Sequence, residues 1–148
     1  MLTSIHKSID EHYDEMVEIR RYLHQYPEVS FEEFETATYI ANFYEQLGIP
    51  YEKNIGGNGV IARLQGKKPG KTIALRADFD ALPINDQKDV PYKSKVPGAM
   101  HACGHDAHTT ILLGTAHLLA KAYEQEAWQG TVKLIFQPAE ESTDDVGL

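Results

Sequence analysis

The sequence predicts an α/β fold, and three observations carry the prediction. Apolar residues recur at helical spacing in two segments near the start and in one beyond residue 106. Short β-branched runs bounded by glycine and proline follow the second segment and the third. The chain of 148 residues shows neither internal repeats nor low-complexity stretches. Helices that precede and alternate with strands define the α/β class.

The first helix is expected over residues 5–24, with Ile5, Ile9, Tyr13, Met16, Ile19 and Leu23 recurring on one face and Pro27 stopping it. Ser30, Phe31, Glu32 and Glu33 read as a capping box that opens a second helix reaching residue 47. Phe31, Phe34, Ala37, Ile40, Ala41 and Tyr44 would share its apolar face, with Gly48 and Pro50 marking the exit. Strands are expected over 59–64 and 72–76, joined through a turn at 68–71 as a hairpin. Residues 80–97 lack helical period and form a long loop, a kind of segment that is often functional. A third helix is expected over 107–123, with Asp106 as N-cap and Ile111, Leu112, Ala116, Leu119 and Ala122 or Tyr123 facing inward. Residues 131–136 read as a buried strand.

Composition narrows the function. Hydrophobic content of 42% and charged content of 24% are ordinary for a single globular domain. The 14 basic and 22 acidic residues leave a formal charge of −8, which disfavours nucleic-acid binding. No apolar run approaches the ~20 residues of a membrane span, and the N-terminus lacks the apolar middle of a signal peptide. A single cysteine cannot form an internal disulfide, which suits a cytoplasmic protein.

Chemistry concentrates in residues 100–108, Met-His-Ala-Cys-Gly-His-Asp-Ala-His, which hold the only cysteine and three of the seven histidines. Thiolate and imidazole are the preferred donors for zinc-like ions. Cys103 and His105 stand two apart around Gly104, where the absent side chain would leave room for an ion. For Cys103 alone, a buried inert thiol is the competing reading. His101 and His108 are supporting candidates, facing solvent, substrate or the ligands themselves. Glu140 and Glu141 are adjacent where a strand ends, so both can meet one site. One carboxylate could bind metal while the other takes a proton from water; the competing reading is a solvated pair opening a helix. Asp78 follows a strand and is placed either at a cleft or in a turn. Residues 66–72 imitate a phosphate-binding loop, but the spacing is one residue short and a strand follows, so nucleotide binding is not expected. The zinc deaminase pattern is absent.

Four segments together carry a family resemblance: 20–28 (Arg-Arg-Tyr-Leu-His-Gln-Tyr-Pro-Glu), 74–84 (Ala-Leu-Arg-Ala-Asp-Phe-Asp-Ala-Leu-Pro-Ile), 100–108, and 136–141 (Phe-Gln-Pro-Ala-Glu-Glu). In this order they resemble the amidohydrolase branch of the aminoacylase/carboxypeptidase metallopeptidases. The resemblance implies an α/β fold of helices packed on a mixed sheet, the incomplete N-terminal part of a dinuclear-metal exopeptidase-like catalytic domain. It implies that Cys103, His105 and Glu141 are metal ligands, that Glu140 is the catalytic base and that Asp78 supports the site. Two divalent ions, zinc or manganese, occupy the complete family site. The implied substrate is a small N-acyl amino acid or similar amide, split into a carboxylic acid and a free amino acid. Members of this family are longer; they oligomerise through an inserted dimerisation and lid domain and supply two more histidine ligands beyond the equivalent of Glu141. Residues 1–148 are therefore expected to be the N-terminal segment of the catalytic domain, with the inserted domain and the C-terminal part of the catalytic domain absent. A metal-dependent amidohydrolase, impaired as an isolated chain, is the expected function. The alternative is a non-catalytic remnant with at most weak metal binding.

Overall fold

The computed structural model describes residues 2–124 and 128–142, with side chains 2–4, 123 and 124 left aside. It contains, in chain order, α1 (Leu2–Gln25), α2 (Phe34–Gln46), β1 (Tyr51–Ile55), β2 (Gly59–Gln65), β3 (Thr72–Asp78), α3 (His105–Glu124) and β4 (Thr131–Gln137). The strands form one mixed four-stranded sheet in the order β1-β2-β4-β3. β2 runs antiparallel to both β1 and β4, whereas β3 and β4 are parallel. The helices and the mixed sheet agree with the expected class.

The expected hairpin between β2 and β3 does not form, because β4 lies between them. β4 carries Leu134 and Phe136, both essentially without exposure, and a strand that buries such residues gains from a partner on each side. A parallel pair cannot be joined by a tight turn, so α3 makes the crossover from β3 to β4. The hairpin partner of β2 is instead β1, which its charged sequence concealed. Asn54, Gly56 and Gly57 adopt positive φ (61°, 62° and 96°) and fold β1 back on β2.

The core joins Ile19 and Leu23 of α1, Ile40 and Tyr44 of α2, Val60, Ala62 and Leu64 of β2, Phe79, Leu113 of α3, and Leu134 and Phe136. Three helix expectations need correction. In α1 the apolar face is buried only in its second half; Ile5, Ile9 and Tyr13 are exposed. In α3 Ile111 is 67% exposed and Leu113 takes its inward place; the side chain of Tyr123 lies outside the described residues. The capping box is not made. Phe31 has φ 70°, α2 starts at Phe34, and both Phe31 and Phe34 point to solvent. The first-turn N–H groups of Glu35 and Thr36 instead donate to the Glu28 carboxylate at 3.1 and 2.7 Å. That frees Ser30 and Glu33 for other partners.

α1 and α3 pack antiparallel, with Arg20 and His24 reaching Asp106 at one end and His12 reaching His117 at the other. Midway, Gly114 faces Met16, whose Sδ would lie 2.8 Å from a Cβ built on the glycine. The long loop after β3 is tied down rather than loose. Leu82 bridges Met100, and the buried Asp86 carboxylate accepts N–H bonds from Lys88 and Ser94, both at 3.0 Å.

Candidate metal centre

The site forms where β3, α3 and the end of β4 meet. Asp78 is the last residue of β3, and His105 opens α3. The expectation that Asp106 caps α3 is not met. The helix begins one residue earlier, and the Gly104 carbonyl accepts from Ala107 and His108 at 2.9 and 3.1 Å. Gly104 has φ +95°, while a Cβ built there would touch nothing within 4 Å. Its glycine is thus required by backbone conformation, not by crowding around an ion. This turn aims Cys103 and His105 at one point.

Beyond β4, Pro138 is followed by Ala139 at φ 52°, which breaks strand alternation. The bend is held by Glu33, fully buried, whose Oε1 accepts the Ala139 N–H at 2.8 Å and whose Oε2 accepts from Asn58 at 3.0 Å. Glu140 and Glu141 therefore both turn towards His105. Their carboxylate oxygens stand 3.7 and 3.6 Å from its Nε2, and Asp78 Oδ1 stands at 3.5 Å. One donor atom each from Cys103, His105 and Glu141 lies within 4.8 Å of the other two. Asp78, His105 and His108 form a second group by the same measure, sharing His105.

Asp80 organises this cluster, and the sequence reading did not single it out. It is 1% exposed. Its carbonyl and Oδ1 accept from His105 Nδ1 at 2.9 and 3.1 Å. With Nδ1 donating, Nε2 keeps its lone pair directed at the cluster. Oδ2 of the same residue accepts from Ser30 Oγ at 2.7 Å and from Glu141 N at 2.9 Å. One carboxylate so positions two of the three donors. Its acidic spacing from Asp78 was visible in sequence; its burial was not.

Asp78 accepts from His108 Nδ1 at 2.6 Å and pairs with Arg76 at 3.1 Å. Burial would raise its pKa, but the His108 hydrogen bond and the His105 and Arg76 charges outweigh it and hold the carboxyl below the usual range. His101 is buried with Nδ1 lacking a partner and joins neither group. Burial lowers its pKa to about 4, so the ring is neutral at ordinary pH.

The residues suit a divalent cation. The Cys103 thiol is raised by its hydrogen bond to Glu141, then by burial and by the charges of Glu141, Glu140 and Asp78. Glu141 Oε1 is buried without a hydrogen-bond partner. Crowded carboxylates and an orphaned oxygen around the His105 ring are what a cation would relieve. The inert-cysteine reading also fails on exposure, since Cys103 is exposed.

A mixed α/β scaffold thus brings Cys103 and His105 at the start of α3 together with Glu141 beyond β4. Comparison gives the family: residues 74–147 match Peptidase family M20/M25/M40, and the chain belongs to it. YhaA of Bacillus subtilis, assigned as an amidohydrolase, is 57% identical over 93% of this chain and 34% of that protein. N-acetyl-L-cysteine deacetylase of the same organism is 49% identical over 86% and 30%. IAA-amino acid hydrolase ILR1-like 5 of Arabidopsis thaliana is 48% identical over 89% and 30%. Among solved structures, a protein of methicillin-resistant Staphylococcus aureus assigned as an aminohydrolase superposes with TM-score 0.92 at 46% identity, covering 97% of this chain and 38% of that one. YXEP of Bacillus subtilis, described as a dinuclear metal binding peptidase, superposes with TM-score 0.83 at 45% identity, covering 89% and 36%. The chain thus spans about a third of the length of these relatives. No described helix is long and apolar enough to cross a membrane.

Proposed function

We propose that residues 1–148 are the N-terminal segment of the catalytic domain of a metal-dependent amidohydrolase that cleaves N-acyl amino acids or similar small amides. The convergence of Cys103, His105 and Glu141 within 4.8 Å, with Glu140 alongside, is the observation that carries this reading. The names of the N-acetyl-L-cysteine deacetylase and the IAA-amino acid hydrolase among its relatives support the acyl amide substrate class. The inserted dimerisation and lid domain and the rest of the catalytic domain lie outside this segment in the same reading, supported by its third-length match.

Cys103, His105 and Glu141 would hold a divalent ion, zinc or manganese, which supplies Lewis acidity towards the acyl carbonyl and a water. Glu140, 39% exposed at its side chain and beside that triad, takes a proton from the attacking water. It then returns the proton to the departing amine. Asp80 fixes the His105 tautomer, and Asp78 orients His108 at the rim. By the family resemblance two further histidine ligands follow the equivalent of Glu141, so the 148-residue segment by itself is expected to release little free amino acid.

The test uses the complete protein that carries this segment. Loaded with zinc or manganese, it should release free amino acid from N-acetyl-amino acids. Glu140→Gln should lower kcat by about 10²–10⁴ without lowering metal content. Absence of hydrolysis across a panel of N-acyl amino acids, or full activity of Glu140→Gln, would overturn the proposal.

A further inference from the structure

A third donor cluster stands on the α1–α3 pair, and none of its residues belongs to the candidate metal centre. We propose that His12, Glu15 and His117 form a separate transition-metal site of the zinc or nickel type that staples α1 to α3. One donor atom from each lies within 4.8 Å of the other two. His12 and Glu15 are three apart on α1 and so share a face, while His117 approaches from α3. The two rings have centroids 4.0 Å apart, tilted by 54°.

The chemistry of each donor fits. His12 Nδ1 lies 2.7 Å from the Ser8 carbonyl, an oxygen that can only accept. Nδ1 is therefore the protonated nitrogen, and Nε2 carries the lone pair; metal-bound histidines are commonly oriented this way. Glu15 is exposed and adds the negative charge that two imidazoles lack. A set of two nitrogens and one carboxylate oxygen favours zinc, nickel or copper over magnesium or calcium.

The scaffold holds this geometry from both directions. Gly114 against Met16 lies one turn away on each helix, where a Cβ on the glycine would stand 2.8 Å from Met16 Sδ. Arg20 and His24 on Asp106 lock the far end. Tetrahedral zinc places its donors ~3.4 Å apart, so rotamer adjustments alone can close the present spacing. One or more positions on the ion would remain open to water.

The experiment uses the full chain with the first centre disabled by Cys103→Ser and Glu141→Gln, freed of metal and titrated with zinc chloride by calorimetry. The expected result is one equivalent bound, with affinity falling at least tenfold in His12→Gln and again in His117→Gln tested separately. Binding that is absent in the disabled chain, or unchanged by both histidine substitutions, overturns the site. Should either substitution unfold the chain, substoichiometric nickel is added to the Cys103→Ser, Glu141→Gln chain with both histidines kept, and the histidine ring signals are followed by NMR. Selective broadening of His12 and His117 together supports the staple; broadening confined to His105 and His108 refutes it.

Discussion

Replacing Asp80 tests whether one buried carboxylate governs the candidate metal centre. Its Oδ2 accepts from Ser30 and Glu141, and its Oδ1 and carbonyl share the His105 Nδ1 proton. In Asp80→Ala, Ser30 Oγ and the Glu141 N–H lose their acceptor, while His105 keeps the backbone carbonyl. Each hydrogen bond to a charged group contributes ~1.5–3 kcal/mol, so the loss of two sums to about 3–6 kcal/mol, a large share of a typical domain's stability. Asp80→Asn is the sharper probe because it keeps the volume. An amide offers a single oxygen. If that oxygen serves Ser30 and Glu141, the NH₂ faces His105 Nδ1, opposes its proton and favours the tautomer whose Nε2 cannot bind metal. If the amide flips, the NH₂ opposes the Glu141 N–H and displaces that donor. Either arrangement should weaken metal binding by about 10- to 100-fold. Cobalt(II) titration reports this through the thiolate-to-cobalt absorption, which only the Cys103 centre can give. Affinity within twofold of the parent in Asp80→Asn, with an unshifted melting temperature, would refute the positioning role.

Three further outcomes follow from neighbouring groups. The Asp86 carboxyl is pushed up by burial but pulled down to about 2 by the Ser94 and Lys88 N–H groups and the Lys88 and His24 charges. A folded pKa below the unfolded one stabilises above roughly pH 4 and is lost as pH falls towards 2, so Asp86→Asn should cost about 1–2 kcal/mol at pH 7 and progressively less in that window by urea unfolding. Gly104→Ala should lower stability by about 1–2 kcal/mol through its φ of +95° and misaim Cys103 and His105, read as a fall in both melting temperature and cobalt affinity. Glu33→Ala removes the acceptor of the Ala139 N–H and should release the bend that presents Glu140 and Glu141, weakening metal binding while far-ultraviolet circular dichroism stays unchanged.

The sequence made the helices legible because their apolar period is strong, and it made the donors legible because Cys103 and His105 share one short segment. It could not show β4 entering between β2 and β3, since strand order depends on a crossover and not on any local pattern. β1 stayed hidden because four of its five residues are exposed and carry no alternation. The capping-box reading failed for a related reason. Ser30 and Glu33 have the right spacing for a local cap, but each finds a partner far along the chain, at Asp80 and at Ala139 and Asn58. Local propensity is outweighed where a buried acceptor needs a donor from another element.

The N-terminal segment 20–28 acquires a reason through the same logic. Arg20 and His24 bond Asp106 at 2.9 and 2.5 Å, and Asp106 is fully buried beside His105 in the first turn of α3. Glu28 caps α2, and the Glu28 carbonyl accepts the Ala81 N–H, next to Asp80. Residues with no donor role therefore fix both sides of the His105 imidazole: the helix it opens and the carboxylate that orients it. Asp106 sits too close to the cluster to be a neutral bystander, yet its charge is spent on Arg20 and His24. Removing it would leave the buried His24 ring and the partly exposed Arg20 guanidinium without their shared acceptor. The acidic cluster and the basic motif are thus one arrangement. α1 supplies the positive charge that lets α3 begin with an aspartate, and Asp106 in turn anchors the histidine that the cluster shares.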